Sequence, residues 1–168
     1  MSEIVAVRID SRLIHGQTAN LWTGHWNCDR YIIIDDETAN DPTLKAVMRI
    51  ACPPSVKLSV LTEEKALAYL TEEGHYGNEK IVIIVKFLTG LVKLIEAGCK
   101  FDCGRIVVGT MVIGEKRKKV INKNVKVSDE DIALFHKLAD AGYEIDFQVI
   151  PTMASEPFMP MLATVENE

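Results

Sequence analysis

The chain has 168 residues, a formal net charge of −5, and 48% hydrophobic and 26% charged residues. That length suits about one domain with a sizeable core, and the composition is that of an ordinary globular protein. The acidic balance argues against a nucleic-acid-binding protein, and the apolar runs are far shorter than the ~20 residues that span a bilayer. Residues 1–3 lack the pattern of a signal peptide, so we expect a cytoplasmic protein.

Short apolar runs alternate with amphipathic segments along the whole chain. The apolar runs predict strands over residues 4–9, 30–35, 56–61, 81–86, 105–109 and 144–149. Helical periodicity predicts helices near residues 16–25, 43–51, 63–73, 88–97 and 129–141. This alternation favours an α/β fold in a single domain, a three-layer sandwich with helices on both faces of a mainly parallel, twisted sheet of six or seven strands.

The C-terminal part of the chain is less uniform. Ser128 and Asp131 have the spacing of a helix capping box, and Gly142 is typical of a helix C-terminus. Alternation at residues 119–121 and 125–127 predicts short strands near the sheet edge. We expect the domain to span residues 1–150, with a tail over 151–168 that packs on it or is partly mobile.

The sequence offers no convincing metal or cofactor site. Cys99 and Cys103 are four residues apart, but no second Cys or His pair accompanies them, so free thiols are expected. The first strand-to-helix turn has a single glycine, Gly16, and lacks the Gly-x-Gly-x-x-Gly pattern of a dinucleotide-binding domain. We therefore predict that the protein works without a metal ion or a cofactor.

The most reactive group of side chains lies at that first turn, in the segment Arg-Ile-Asp-Ser-Arg-Leu-Ile-His-Gly-Gln at residues 8–17. Ligands of open α/β sheets bind outside the carboxyl ends of the strands. A neutral imidazole at His15 is a nucleophile, since its unperturbed pKa is ~6.5. The planar guanidinium of Arg12 suits phosphoryl oxygens, and Gly16 removes a Cβ from the approach to a helix N-terminus that favours anions.

Several neighbours of His15 have two possible roles. Arg8 either contacts the ligand or forms a structural ion pair, for which there are three candidate carboxylates: Asp10, Asp35 and Asp36. Asp10 is a candidate to orient either Arg12 or the non-reacting ring nitrogen of His15.

Side chains elsewhere contribute weaker signals. Ser11 and Thr110, which follow the first and fifth predicted strands, are candidates to donate hydrogen bonds to phosphate. Lys86 either supplies positive charge or is a surface lysine. Trp22 and Trp26 are four residues apart on one helix face and are expected in the core or in an interface. The other histidines lack a comparable set of partners: His25, His75 and His136.

The segment at residues 8–17 resembles the active-site signature of the enzyme IIB component of the mannose/fructose/sorbose family of sugar phosphotransferase systems. Residues 32–37, 85–86 and 107–111 are similar to later family motifs, and the resemblance covers about residues 3–150. It implies that His15 accepts a phosphoryl group from a phosphohistidine on a IIA partner and passes it to an incoming hexose. The implied catalytic residues are His15, Arg12 and Asp10, and the implied phosphate-binding residues are Ser11, Gly16 and Thr110.

The resemblance also has consequences for partners. It implies a cytoplasmic IIB protein that is peripherally associated with membrane IIC and IID permease subunits. Because the chain begins at the signature and ends soon after the last helix–strand unit, we expect a standalone IIB protein rather than a IIA–IIB fusion. An exposed apolar rim around His15 is expected to dock transiently on IIA. The chain departs from the pattern at Ser11, where relatives commonly carry aspartate, and at Thr110 and Val112, where they tend to have glycine and serine.

Two other classes of function are weighed against a phosphocarrier. A receiver-like signalling module would use Asp35–Asp36, Lys86 and Thr110, but the third predicted strand ends in Leu-Thr-Glu at residues 61–63, with no aspartate to phosphorylate. A non-catalytic regulator or scaffold predicts that His15→Ala leaves function intact.

Overall fold

The computed structural model describes residues 2–168, apart from the side chains of residues 17 and 18. The strands are β1 (Glu3–Ile9), β2 (Arg30–Ile34), β3 (Lys57–Leu61), β4 (Lys80–Val85), β5 (Arg105–Val108), β6 (Lys119–Asn122), β7 (Val125–Val127), β8 (Glu144–Phe147) and β9 (Glu156–Pro157). The helices are α1 (Gly16–Trp26), α2 (Asp36–Ala39), α3 (Pro42–Ala51), α4 (Glu63–Thr71), α5 (Thr89–Glu96), α6 (Asp129–Asp140) and α7 (Phe158–Ala163). Each predicted strand and helix is present, with ends that differ by a few residues at most.

The main sheet has seven strands in the order β3-β2-β4-β1-β5-β8-β9. Its pairs are parallel except for β9, which runs antiparallel to β8. Alternate side chains of the strands enter two separate cores: Ile32 and Ile34 pack with α4 to α7, whereas Tyr31 and Ile33 pack with α1 and α3. Helices therefore cover both faces, and the predicted three-layer α/β sandwich is confirmed.

The structure corrects one expectation about the C-terminal half. The strands β6 and β7 do not lie at the edge of the main sheet but form a separate antiparallel pair, joined to the end of β5 by a bridge between Met111 and Val125. The reason is that Val125 and Val127 are fully buried in the core beneath α6, which draws the hairpin onto the helical layer.

The tail also joins the core. Phe158, Leu162 and Val165 are each at most 3% exposed, and the ring of Phe158 lies 4.7 Å from that of Phe135 on α6. Their spacing is helical, and β9 adds a short antiparallel edge next to β8. The packing of the segment after residue 150 thus closes the sheet edge that β8 would otherwise expose.

Candidate active site

The site lies at the carboxyl edge of the sheet, where β1 is flanked by β4 and β5. Asp10, the first residue after β1, is completely buried. Its Oδ1 accepts hydrogen bonds from the backbone N–H of Arg12 at 3.0 Å and from the hydroxyl of Thr110 at 2.7 Å. Its Oδ2 accepts from Nη2 of Arg8 at 3.2 Å. Asp10 therefore fixes the backbone of the loop that carries Arg12, and it does not contact a ring nitrogen of His15.

Arg8 is a structural residue in this arrangement. It is 2% exposed and pairs with Asp10, not with Asp35 or Asp36. Its Nη1 donates to the carbonyl of Gln148 at 2.8 Å, and its Nη2 donates to that of Val149 at 2.6 Å. The guanidinium thus ties the loop after β1 to the loop after β8.

Gly109 makes room for that guanidinium. A Cβ at this position would lie 2.2 Å from Nη2 of Arg8 and 3.0 Å from Oδ2 of Asp10. The glycine belongs to a segment singled out in the sequence, but its steric role there depends on the long-range approach of β5 to β1. No spacing in the sequence signals that approach.

Ser11 and Thr110 are placed differently from the expectation that they donate to phosphate. Both are at most 5% exposed. The hydroxyl of Thr110 donates to Asp10, and the hydroxyl oxygen of Ser11 accepts from the backbone N–H groups of Val112 and Ile113 at 3.0 and 3.1 Å. In this conformation they hold the loops after β1 and β5 together, because their polar atoms are turned inward.

His15 is the residue immediately before α1, with extended backbone at φ −151°. Its side chain makes no capping hydrogen bond to the helix, so the simplest structural role for this histidine is not observed. Burial lowers the pKa of the His15 ring, and the attraction of Asp10 only partly opposes that effect. The imidazole is therefore neutral at pH 7, as a nucleophile must be.

Arg12 and Gly16 flank the histidine at the surface. The side chain of Arg12 is 48% exposed, and its Nε lies 3.9 Å from Oδ1 of Asp10. Gly16 has φ +45°, a backbone region that glycine adopts without strain, and open space where a Cβ would stand. The first turn of α1 contains no acidic residue. The loop after β1 thus carries a neutral imidazole and an exposed guanidinium next to the positive end of a helix dipole.

Three apolar side chains are exposed at the same edge of the sheet. Phe87, Val112 and Ile113 are 41–49% exposed and follow the ends of β4 and β5. Beneath them the buried Arg117 donates to the carbonyls of Lys86 and Ile113 and lies 4.7 Å from the ring of Phe87. We call the three exposed residues the apolar rim. The sequence predicted an apolar rim but not which residues form it. It also gave no signal for Arg117, which forms an ion pair with Asp131 on α6.

Lys86 and Asp35 form a separate pair at the same edge. Nζ of Lys86 lies 3.5 Å from Oδ2 of Asp35, and that oxygen also accepts from the backbone N–H of Thr38 at the start of α2. Asp36 accepts instead from the backbone N–H of Glu63. These carboxylates are engaged in capping helices and loops.

The comparisons with known proteins agree with one another. Residues 4–168 match the family model described as the sorbose subfamily IIB component of the PTS system. A fructose-specific EIIB component from Bacillus subtilis is 32% identical over 98% of this chain and 99% of its own length. A mannose-specific EIIAB component from Escherichia coli is 30% identical over 95% of this chain and 48% of its own length. The crystal structure of the IIBSor domain of the sorbose permease from Klebsiella pneumoniae has a TM-score of 0.88 at 27% identity, over 96% of this chain and 97% of that one.

Within the described part of the chain, no helix is both long and apolar enough to cross a membrane.

Proposed function

Because this chain belongs to the sorbose subfamily of IIB components of the sugar phosphotransferase system, we propose that His15 carries the phosphoryl group. The donor is a phosphohistidine on the IIA partner, and the acceptor is a hydroxyl of an incoming hexose, which we take to be the 6-hydroxyl. The observation that carries the proposal is that His15, whose burial lowers its pKa and keeps it neutral, is the residue before α1 and follows the exposed Arg12 by three residues in one loop.

The transfer balances without a metal ion or a cofactor. One ring nitrogen of His15 attacks phosphorus, the P–N bond to the donor imidazole breaks, and the proton from the other ring nitrogen passes to the departing imidazole. In the second step the P–N bond on His15 breaks as the hexose oxygen attacks, and the hydroxyl proton goes to the ring. Arg12 neutralises the equatorial oxygens, the main electrostatic demand of phosphoryl transfer, and Gly16 leaves room for their approach.

The partners follow from the family. A IIB component works with a IIA protein and with membrane permease subunits, which are the IIC and IID proteins in this proposal. The protein would then act at the cytoplasmic side, next to the permease. The apolar rim of Phe87, Val112 and Ile113 supplies a docking surface for IIA. Docking must be transient, because a carrier that binds its donor tightly does not turn over.

A labelling experiment tests the carrier role. Incubation with the upstream phosphotransferase components and labelled phosphoenolpyruvate should place one acid-labile, alkali-stable label on His15. His15→Ala should abolish labelling, whereas the control His25→Ala, an exposed histidine on the same helix, should not. Label on any other residue, or none, would overturn the proposal. An alkali-labile label would instead support an acyl phosphate and a receiver-like module.

A further inference from the structure

The His15 ring is turned inward in this structure. Both of its nitrogens are buried from solvent, and neither has a hydrogen-bond partner among the described residues. His15 forms part of the wall of a cavity of about 10 Å³. The side chains that line the cavity with it are mainly apolar and aromatic: Leu13, Ile14, Ala19, Trp22, Trp26, Tyr31 and Ile84, with Arg8 and Asp10 at one end.

This position is incompatible with the transfer step. A cavity of that volume has space for about one water molecule, whereas a phosphoryl group adds four heavy atoms and up to two negative charges. Placing such an anion among apolar side chains is strongly unfavourable. A ring nitrogen without exposed surface also cannot be reached by a donor carried on another protein.

We propose that His15 alternates between a sheltered position in this cavity and an outward position, and that phosphorylation locks the outward one. The inference rests on the proposed carrier role. The free carrier withdraws its imidazole, while the phosphorylated carrier presents it beside Arg12. The two forms therefore offer different surfaces, and phospho-IIA reacts with the free carrier only while the ring is in the outward position.

In this proposal the His15 ring moves while the loop that carries it stays in place, because the surrounding structure fixes that loop. Leu13 and Ile14 are buried, and Leu13 is held at φ +58°, a region that side chains other than glycine rarely adopt. Trp22 is fixed by its indole N–H, which donates to the carbonyl of Val149 at 3.0 Å. Trp26 stacks on Trp22 at 4.7 Å and is only half-buried. The cavity thus has a rigid inner wall and an outer wall formed by Trp26.

Filling the cavity provides the test. Ala19 is 8% exposed on α1 and lines the cavity, so Ala19→Leu should displace the ring. The readout is the His15 pKa by NMR on the unphosphorylated protein. It should lie below ~6.5 in the wild type and rise toward that value in the variant. The groups that face the ring are unchanged by the substitution: Asp10, Arg8, Arg12 and Tyr31.

Two further variants keep the test decisive. Ala139→Leu makes the same change on α6, on the other face of the sheet, and should leave the His15 pKa unchanged. Trp26→Ala removes the outer wall without adding volume and should raise that pKa as Ala19→Leu does. Labelling by phosphoramidate, which needs no IIA, should be faster in both cavity variants, by about tenfold if the wild-type ring is sheltered nine-tenths of the time.

A wild-type His15 that titrates at its ordinary pKa, or one whose pKa both cavity variants leave unchanged, would overturn the sheltered position. If the carrier role fails instead, the His15 pKa would still be low in the wild type and higher in the two cavity variants, but His15 would take no label from phosphoenolpyruvate.

Discussion

Gly109→Ala should damage the protein far more than a single methyl group suggests. The new Cβ would stand 2.2 Å from Nη2 and 2.6 Å from Cζ of Arg8. The guanidinium has no free direction, because two backbone carbonyls, Asp10 and the ring of Trp22 at 4.6 Å hold it. Gly109 itself does not have positive φ, so the effect is steric and not a consequence of backbone strain.

The size of the effect follows from the buried pair. Separating Arg8 from Asp10 leaves an uncompensated buried charge, which costs about 3–5 kcal/mol. That is a large part of the ~5–15 kcal/mol that stabilises a typical domain. For a chain of this size the melting temperature should fall by roughly 6–20 °C. Phosphoryl transfer should also slow, because the new Cβ would press on Asp10, whose Oδ1 holds the backbone N–H of Arg12.

Thermal and urea unfolding followed by circular dichroism measure the loss. Gly24→Ala is the matched control, since a Cβ at this position on α1 meets nothing within 4 Å. That variant should be more stable than the wild type by about 0.5–1 kcal/mol. A free energy of unfolding of Gly109→Ala within 1 kcal/mol of the wild-type value would rule out the clash, because the Arg8 site would then tolerate the added atom.

Two further predictions concern docking and acid stability. Ile113→Asp should raise the concentration of phospho-IIA needed for half-maximal labelling while leaving the rate of labelling by phosphoramidate unchanged. The control Ile50→Asp, at an exposed position on α3, should alter neither quantity. Equal effects of the two substitutions would exclude the apolar rim as a docking surface. The hydrogen bonds from Arg30 and then from Lys57 lower the pKa of Glu79 to about 2. This carboxylate therefore stabilises the fold above the unfolded-state pKa of ~4.3, and the stabilisation is lost as the pH falls toward 2. Glu79→Gln should cost about 1 kcal/mol at pH 7 and only a small fraction of that at pH 2 in urea unfolding. A constant difference across that range would contradict the assignment.

The sequence predicts the layers of this fold because burial on both faces of a parallel sheet requires apolar runs. The run Ile81–Val85 has such a pattern, with its residues divided between two cores. The sequence is less informative about α7, because Pro157 and Pro160 obscure the helical spacing of Phe158 and Leu162. The placement of the β6–β7 pair was wrong for a related reason, since alternation fixes which residues are buried but not against which layer.

The candidate site likewise has one part that the sequence predicts and another that it does not. The reactive residues Arg12 and His15 are neighbours in the chain, so a local motif contains them. The contacts that support them are between residues far apart in the chain. Asp10 accepts a hydrogen bond from the hydroxyl of Thr110, a hundred residues away, and Arg8 donates one to the carbonyl of Gln148. Sequence spacing carries no information about such contacts. Thr110 and Ser11 were therefore expected to bind phosphate, whereas in this structure their hydroxyls hold together the loops after β1 and β5.

Ser11 shows how this chain differs from the pattern its family resemblance implies. Its hydroxyl oxygen accepts from two backbone N–H groups at a position that is 1% exposed. The aspartate that the family resemblance implies at this position would also accept hydrogen bonds but would add a second negative charge next to Asp10. With serine, the loop after β1 carries one negative charge fewer than it would with aspartate. Because charges in partly buried sites are weakly screened, that difference should favour the phosphorylated state of His15.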